Sequence, residues 1–202
     1  MKTLIIVDVQ QDLYSKDGNA YVNGAETVVP NIVKYIEEHK SEISDVIFTL
    51  DWHPNVPAAF VEKDRTSVPR HCVQYTSGAG VSSELVETCA IYQKTAKFFI
   101  KGNTVPHIEN GAFAKIGRYE TICDDEKIAV NNIKGDCSII FGTDNIVICG
   151  LAGDGAVLET VKNLVNSKSC KSIELLESGV ASNDRTNETI KDYCLSHKVN
   201  II

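Results

Sequence analysis

Ile148-Cys149-Gly150-Leu151-Ala152-Gly153-Asp154-Gly155-Ala156-Val157 passes from an apolar run into a turn of small residues and out into a helical stripe. A strand that feeds a helix through such a turn belongs to an α/β sheet, and α/β hydrolytic enzymes commonly hold their attacking side chain at this junction. The residue at the tip is Ala156, whose methyl group cannot attack anything.

Working outward, further apolar runs read as strands at 3–7, 45–50, 97–100, 146–149, 172–176 and 199–202. Each is nearly continuous in apolar residues, as a parallel strand covered on both faces requires. Between them, 25–38 sets Val28, Ile32 and Ile36 on one helical stripe. The stretch 155–166 does the same with Val157, Val161, Leu164 and Val165, and 187–195 gives a shorter last helix. The alternation predicts a doubly wound, mostly parallel six-stranded sheet with helices on both faces, in a single domain over 1–202. Such sheets bind ligands at the carboxyl ends of their strands. Two long stretches, 51–82 and 102–136, leave the sheet on that side and read as pocket-forming loops.

A chain of 202 residues with 43% hydrophobic and 23% charged residues is long enough to bury a core. Its net charge of −7, without a dense Lys/Arg cluster, argues against nucleic acid or an anionic membrane as partner and leaves a small molecule. No apolar run approaches the roughly 18 residues of a membrane span. The start, Met1-Lys2-Thr3-Leu4-Ile5-Ile6-Val7-Asp8, reads as a first strand rather than a signal peptide, so a cytoplasmic protein is expected. The seven cysteines (Cys72, Cys89, Cys123, Cys137, Cys149, Cys170, Cys194) lack CxxC spacing, which argues against a disulfide framework and a zinc ribbon.

The informative residues follow the strands. Asp8 ends the first, where a carboxylate is expensive unless a cation or hydrogen bonds meet it; alone, it reads as a helix cap or a loop ion pair. Lys101 ends the third strand and alone reads as a surface lysine. Together, Asp8, Lys101 and the turn at Ala156 put an acid, a cation and a nucleophile position on one rim. After the second strand, Asp51 and His53 alternate on an extended segment and so face one side, with His71 following in the loop. These are ligand types for a divalent metal, although by spacing alone Asp-x-His is more often structural.

Asp8-x-Gln10-x-Asp12, Asp51-Trp52-His53-Pro54, Pro69-Arg70-His71-Cys72-Val73, Ile100-Lys101-Gly102 and Gly150-Leu151-Ala152-x-Asp154 occur in the order and spacing of one family. The chain resembles the nicotinamidase/isochorismatase-like cysteine hydrolases across nearly its whole length. In that family the elbow reads Gly-Leu-Ala-Thr-Asp-x-Cys-Val, and its cysteine falls at Ala156. The resemblance implies Asp8 as general base and Lys101 as its charge-stabilising partner. It further implies Asp51, His53 and His71 as ligands of one divalent ion (zinc first, iron or manganese otherwise), with Glu62 or Asp64 as an additional ligand. The backbone N–H groups at Ala152 and Ala156 would form the oxyanion hole, with a cis peptide entering Ala152. The implied activity is hydrolysis of nicotinamide to nicotinate and ammonia, a step of NAD salvage, in a homo-oligomer.

Three departures bear on the substrate pocket. Leu13 stands where the nicotinamidases carry Phe, Val68 where they carry Trp, and Asn110-Gly111-Ala112-Phe113 where they carry Tyr-Ser-Ala-Phe. Fewer aromatic faces remain to stack on a pyridine ring; Tyr75, Phe60 and Phe113 are the candidates, and another small amide is a rival substrate. With Ala156 the covalent step has no attacking atom, and Cys149, inside its strand, is no substitute. The surrounding polar set favours a deliberate Cys→Ala substitution, made to trap a substrate complex, over a natural variant left by long drift, because an unpaired buried Asp or Lys destabilises. The chain as it stands is therefore expected to bind without turnover, as a disabled amidase or a small-ligand sensor; a structural zinc protein fits the open ligand set less well.

Overall fold

The computed structural model describes residues 1–55, 69–103, 111–113, 144–168 and 170–202. Six strands form one sheet: β1 (Lys2–Val7), β2 (Ile43–Asp51), β3 (Thr95–Lys101), β4 (Asn145–Leu151), β5 (Ser172–Ala181) and β6 (Asn200–Ile201). The order is β3-β2-β1-β4-β5-β6, and every pairing is parallel. The doubly wound, six-stranded expectation holds, and no described helix is long and apolar enough to cross a membrane.

Burial follows position in the sheet. The central β1 and β4 are buried from their second residue onward, because helices cover both faces, whereas the edge strand β3 is exposed at Thr95, Ala96 and Phe98. The helices are the short α1 (Gln11–Tyr14), α2 (Val28–Glu38), α3 (Ser83–Ile91), α4 (Leu158–Ser167) and α5 (Glu188–Ser196). On α2, Val28, Val29, Ile32, Tyr35 and Ile36 form the buried stripe, and on α4 Leu158, Val161 and Leu164 do so. α2 and α3 pack against each other, and right-handed crossovers put α4 and α5 on the opposite face.

The sequence gives no warning of α3. Leu85 and Cys89 of that helix are buried while Val86 and Ile91 are exposed, so its apolar residues do not share one stripe. Of the loop expected at 51–82, residues 56–68 lie outside the described residues, as do 104–110 and 114–136 of the 102–136 stretch. The described cysteines, Cys72, Cys89, Cys149, Cys170 and Cys194, are all free thiols.

The chain runs from β1 outward to β2 and β3, then returns to β4 and runs outward the other way. The exits of β1 and β4 thus flank the switch point of the sheet, the place where doubly wound sheets generally open a crevice. Ile148, fully buried in β4, measures the core beneath that switch point: Ile148→Ala is expected to lower the unfolding free energy by about 2–5 kcal/mol in urea titration. Ile91→Ala, on a residue 71% exposed, is expected to change it by less than about 0.5 kcal/mol.

Candidate active site and metal centre

Four strand exits meet at the carboxyl edge. Asp51 and Lys101 are register partners at the ends of β2 and β3, and Val7, the residue before Asp8, pairs with Thr49 on one side and Gly150 on the other. Asp8 is not a cap: Gln10 occupies the N-cap of α1, and Asp8 turns into the left-handed region with φ 51° and no exposed surface. Lys101, 1% exposed, sends its ammonium between two carboxylates, 2.6 Å from Asp8 Oδ2 and 2.5 Å from Asp51 Oδ1. The Thr49 hydroxyl donates to Asp8 Oδ1 at 2.7 Å.

The triad sets the protonation states. Burial is the largest influence on Asp8 and pushes its carboxyl up to about 6, against the pull of Lys101. Burial also acts to raise Asp51, but Lys101 and the imidazoles of His53 and His71 hold it well below the usual carboxylate range. Burial alone would lower Lys101; the two carboxylates outweigh it and raise the ammonium above its ordinary value.

Asp51 divides its carboxylate between two tasks. With Oδ1 on Lys101, Oδ2 faces His53 Nε2 at 3.6 Å and His71 Nε2 at 3.8 Å, and the three ligand atoms lie within 4.8 Å of one another. Zinc–nitrogen and zinc–oxygen bonds of about 2.1 Å in a tetrahedron put neighbouring ligands about 3.4 Å apart, so this donor set fits a divalent ion after small shifts. His71 Nδ1 lies 2.7 Å from the Pro69 carbonyl oxygen, which as acceptor would fix the tautomer with Nε2 free to ligate. His53 is held by its backbone, which donates to Cys72 O and accepts from Gln74 N. Gly102 follows Lys101 with φ 66°, and a Cβ there would come within 3.0 Å of the His53 ring and 3.1 Å of Asp51 Oδ1. Only glycine meets both demands.

The turn after β4 begins with a cis peptide between Leu151 and Ala152. Gly155 N and Val157 N both donate to Ala152 O, and Gly155 takes φ −126°, ψ −107° before the chain enters α4. Ala156 lies within this turn and is partly buried. Cys149 is fully buried within β4, and its thiol faces Ile5 O at 3.7 Å, so it stays out of the turn. Asp154 is a participant whose role its sequence position did not indicate: its oxygens accept from Asn183 N, Asn183 Nδ2 and Asp184 N, which clasps the β5–α5 loop to the turn.

The expected pocket residues are less uniform. Leu13 joins the hydrophobic core at 8% exposure, and Phe113 is buried against Phe99 with ring centroids 4.6 Å apart. Tyr75 is 90% exposed and meets Trp52 edge-on, so it offers no enclosed stacking face. Val68, Phe60, Glu62, Asp64 and Asn110 lie outside the described residues. Lys101→Met would leave Asp8 and Asp51 facing each other without a cation; the expected loss of stability is about 3–5 kcal/mol, read by denaturant unfolding at pH 7. Gly102→Ala is expected to lose about 1–2 kcal/mol from the left-handed backbone alone.

A sequence model of the isochorismatase domain matches residues 2–104, just over half of the chain. The nicotinamidase/pyrazinamidase of Mycobacterium tuberculosis is 28% identical over 185 residues, covering 90% of this chain and 89% of that protein. The nicotinamidase of Saccharomyces cerevisiae is 30% identical over 77 residues, which is 38% of this chain and about a third (36%) of that protein. Among solved structures, the yeast nicotinamidase Pnc1p superposes with a TM-score of 0.76 at 20% identity, covering 100% of this chain and 99% of its own. The pyrazinamidase of Pyrococcus horikoshii in complex with zinc gives 0.72 at 24% identity, covering 100% and 98%. Sheet order, strand-exit residues and the domain match agree: the chain belongs to the isochorismatase domain family.

Proposed function

We propose that this chain is a nicotinamidase-type amide hydrolase scaffold that binds a small amide such as nicotinamide but lacks the atom that would attack it. The carrying observation is the coexistence of a buried Asp8–Lys101–Asp51 triad with a methyl group at Ala156. Support comes from relatives named as nicotinamidases and pyrazinamidases, and from a solved relative holding zinc.

Asp51, His53 and His71 would hold the divalent ion, zinc first and iron or manganese otherwise, whose Lewis acidity would orient and polarise the bound amide. The remaining roles belong to the chain itself. With a thiol at position 156, Asp8 would take its proton and Lys101 would stabilise the resulting thiolate. Sulfur would add to the amide carbonyl, and the N–H groups of Ala152 and residue 156 would stabilise the oxyanion. Collapse would expel ammonia, protonated from Asp8, and water would cleave the thioester to the acid. With Ala156 the sequence stops at the bound amide.

A second reading, a small-ligand-binding protein without turnover, is supported by the methyl group at Ala156 alone and expects no activity from Ala156→Cys either.

Ammonia release from nicotinamide and a panel of small amides separates these cases. The chain should bind nicotinamide in a calorimeter and release no ammonia, while Ala156→Cys at equal zinc loading should release it catalytically; silence in both would remove the amidase reading. Stripping the ion with a chelator should weaken amide binding at least tenfold while the circular dichroism of the fold persists.

A further inference from the structure

Of the segment Asp8-Val9-Gln10-Gln11-Asp12, the chemistry above uses only Asp8. Gln10 and Asp12 are both buried, at 0% and 6% exposure, and both are polar, so each must satisfy its side chain within the protein. The Gln10 carboxamide grips the last residue of β2 from both sides: its Oε1 accepts from Asp51 N at 2.8 Å and its Nε2 donates to Asp51 O at 2.8 Å. The same Nε2 donates to Ala79 O at 2.9 Å. Asp12 reaches the other ligand segment, its Oδ2 accepting from Cys72 N, next to His71, at 2.8 Å and its Oδ1 from Asn19 N at 3.2 Å. Gly78 closes over this carboxylate so tightly that a Cβ would fall 2.1 Å from Oδ2.

We propose that Gln10 and Asp12 are the positioning residues of the cation site, Gln10 fixing the Asp51 ligand through its backbone and Asp12 fixing the His71 ligand through the Cys72 amide. The inference rests on the metal reading of Asp51, His53 and His71. It adds that the segment supplying Asp8 also sets the spacing of two ligands. Neither side chain touches the ion. Each acts by holding a backbone segment whose drift would open the 3.6 Å and 3.8 Å separations between Asp51 Oδ2 and the imidazoles. Ligand supports of this kind typically change metal affinity 10–100-fold when removed.

Two near-isosteric changes break the grips. Gln10→Glu replaces the Nε2 donor by an oxygen that faces the carbonyls of Asp51 and Ala79. Asp12→Asn turns an amide NH2 toward one of two N–H donors. A control, Glu174→Gln, breaks the 2.8 Å pair with Lys2, which sits at the opposite, amino end of the sheet. The full chain and the three variants are titrated with cobalt(II), following its visible absorption, and the metal-free melting temperature is measured beside each titration. The expected result is a 10–100-fold rise in Kd with a shifted absorption band for Gln10→Glu and Asp12→Asn, and an unchanged Kd and band for the control. Kd within twofold of the parent with the same band, or a loss shared by the control in proportion to its melting temperature, overturns the inference. If Gln10→Glu does not fold, Asp12→Asn and the zinc-induced rise in its melting temperature decide by the same criteria. No uptake of cobalt or zinc by the parent chain would overturn the metal reading itself, which is a different outcome from equal uptake by all variants.

Discussion

A single buried ammonium organises the carboxyl edge of the sheet. Lys101 ends β3 with 1% of its side chain exposed, and it touches Asp8 and Asp51, which come from the two strands beyond it. A lysine so placed is tolerable only because both carboxylates are within ion-pair distance, and the carboxylates are tolerable only because the lysine is there. The three strand ends are therefore locked by charge as well as by the backbone ladder. The order β3-β2-β1 brings them side by side, and β4 adds the small-residue turn on the far side of Asp8.

The charge balance of this edge explains why it can accept an ion. Two carboxylates and one ammonium leave one net negative charge, and Asp51 has already given Oδ1 to Lys101. Its Oδ2 faces two imidazole Nε2 atoms, one of them with its other ring nitrogen beside a carbonyl oxygen. A divalent cation there would take up the remaining charge and the two nitrogen lone pairs together. In the proposed site Asp51 would thus link the Asp8–Lys101 pair to the ion, and whatever sat on Oδ2 would alter the field felt by Lys101 and, through it, by Asp8.

The sheet was legible because its strands are buried on both faces. The runs at 3–7, 45–50 and 146–149 carry no polar face to obscure them, and all lie within observed strands. The site residues stood out as charges directly after such runs, but only the family motif gave them roles: alone, Asp8 reads as a cap or ion pair, Lys101 as a surface lysine and Asp-x-His as structural. What stayed hidden was support rather than chemistry. Thr49 lies inside a strand, yet its hydroxyl bonds Asp8; Gln10 acts on a backbone 41 residues away and Asp12 on one 60 away. Partners so distant in sequence leave no local period to read. The helix α3 was missed because packing rather than amphipathic patterning specifies it, and the exposure of Tyr75 because an aromatic ring in a loop gives no sign of which way it faces.

The methyl group at Ala156 has to be weighed beside the polar set on the same rim. Removing a sulfur from a turn creates no buried charge and breaks no pairing, so it is among the least disruptive changes available to this fold. Losing Lys101, by contrast, would strand two carboxylates, and losing Gln10 would leave the amide and carbonyl of Asp51 without their buried partner. Stability alone would thus keep the triad and the Gln10 grip whether or not the chain turns over a substrate, so their presence does not by itself decide between a replaced cysteine and drift. It would not preserve the two histidines, which sit at 13% side-chain exposure in a loop and whose Nε2 atoms converge on one oxygen. The proposed ion site therefore rests on the two histidines more than on the triad, and metal uptake by the chain would separate a binding protein from a folded scaffold.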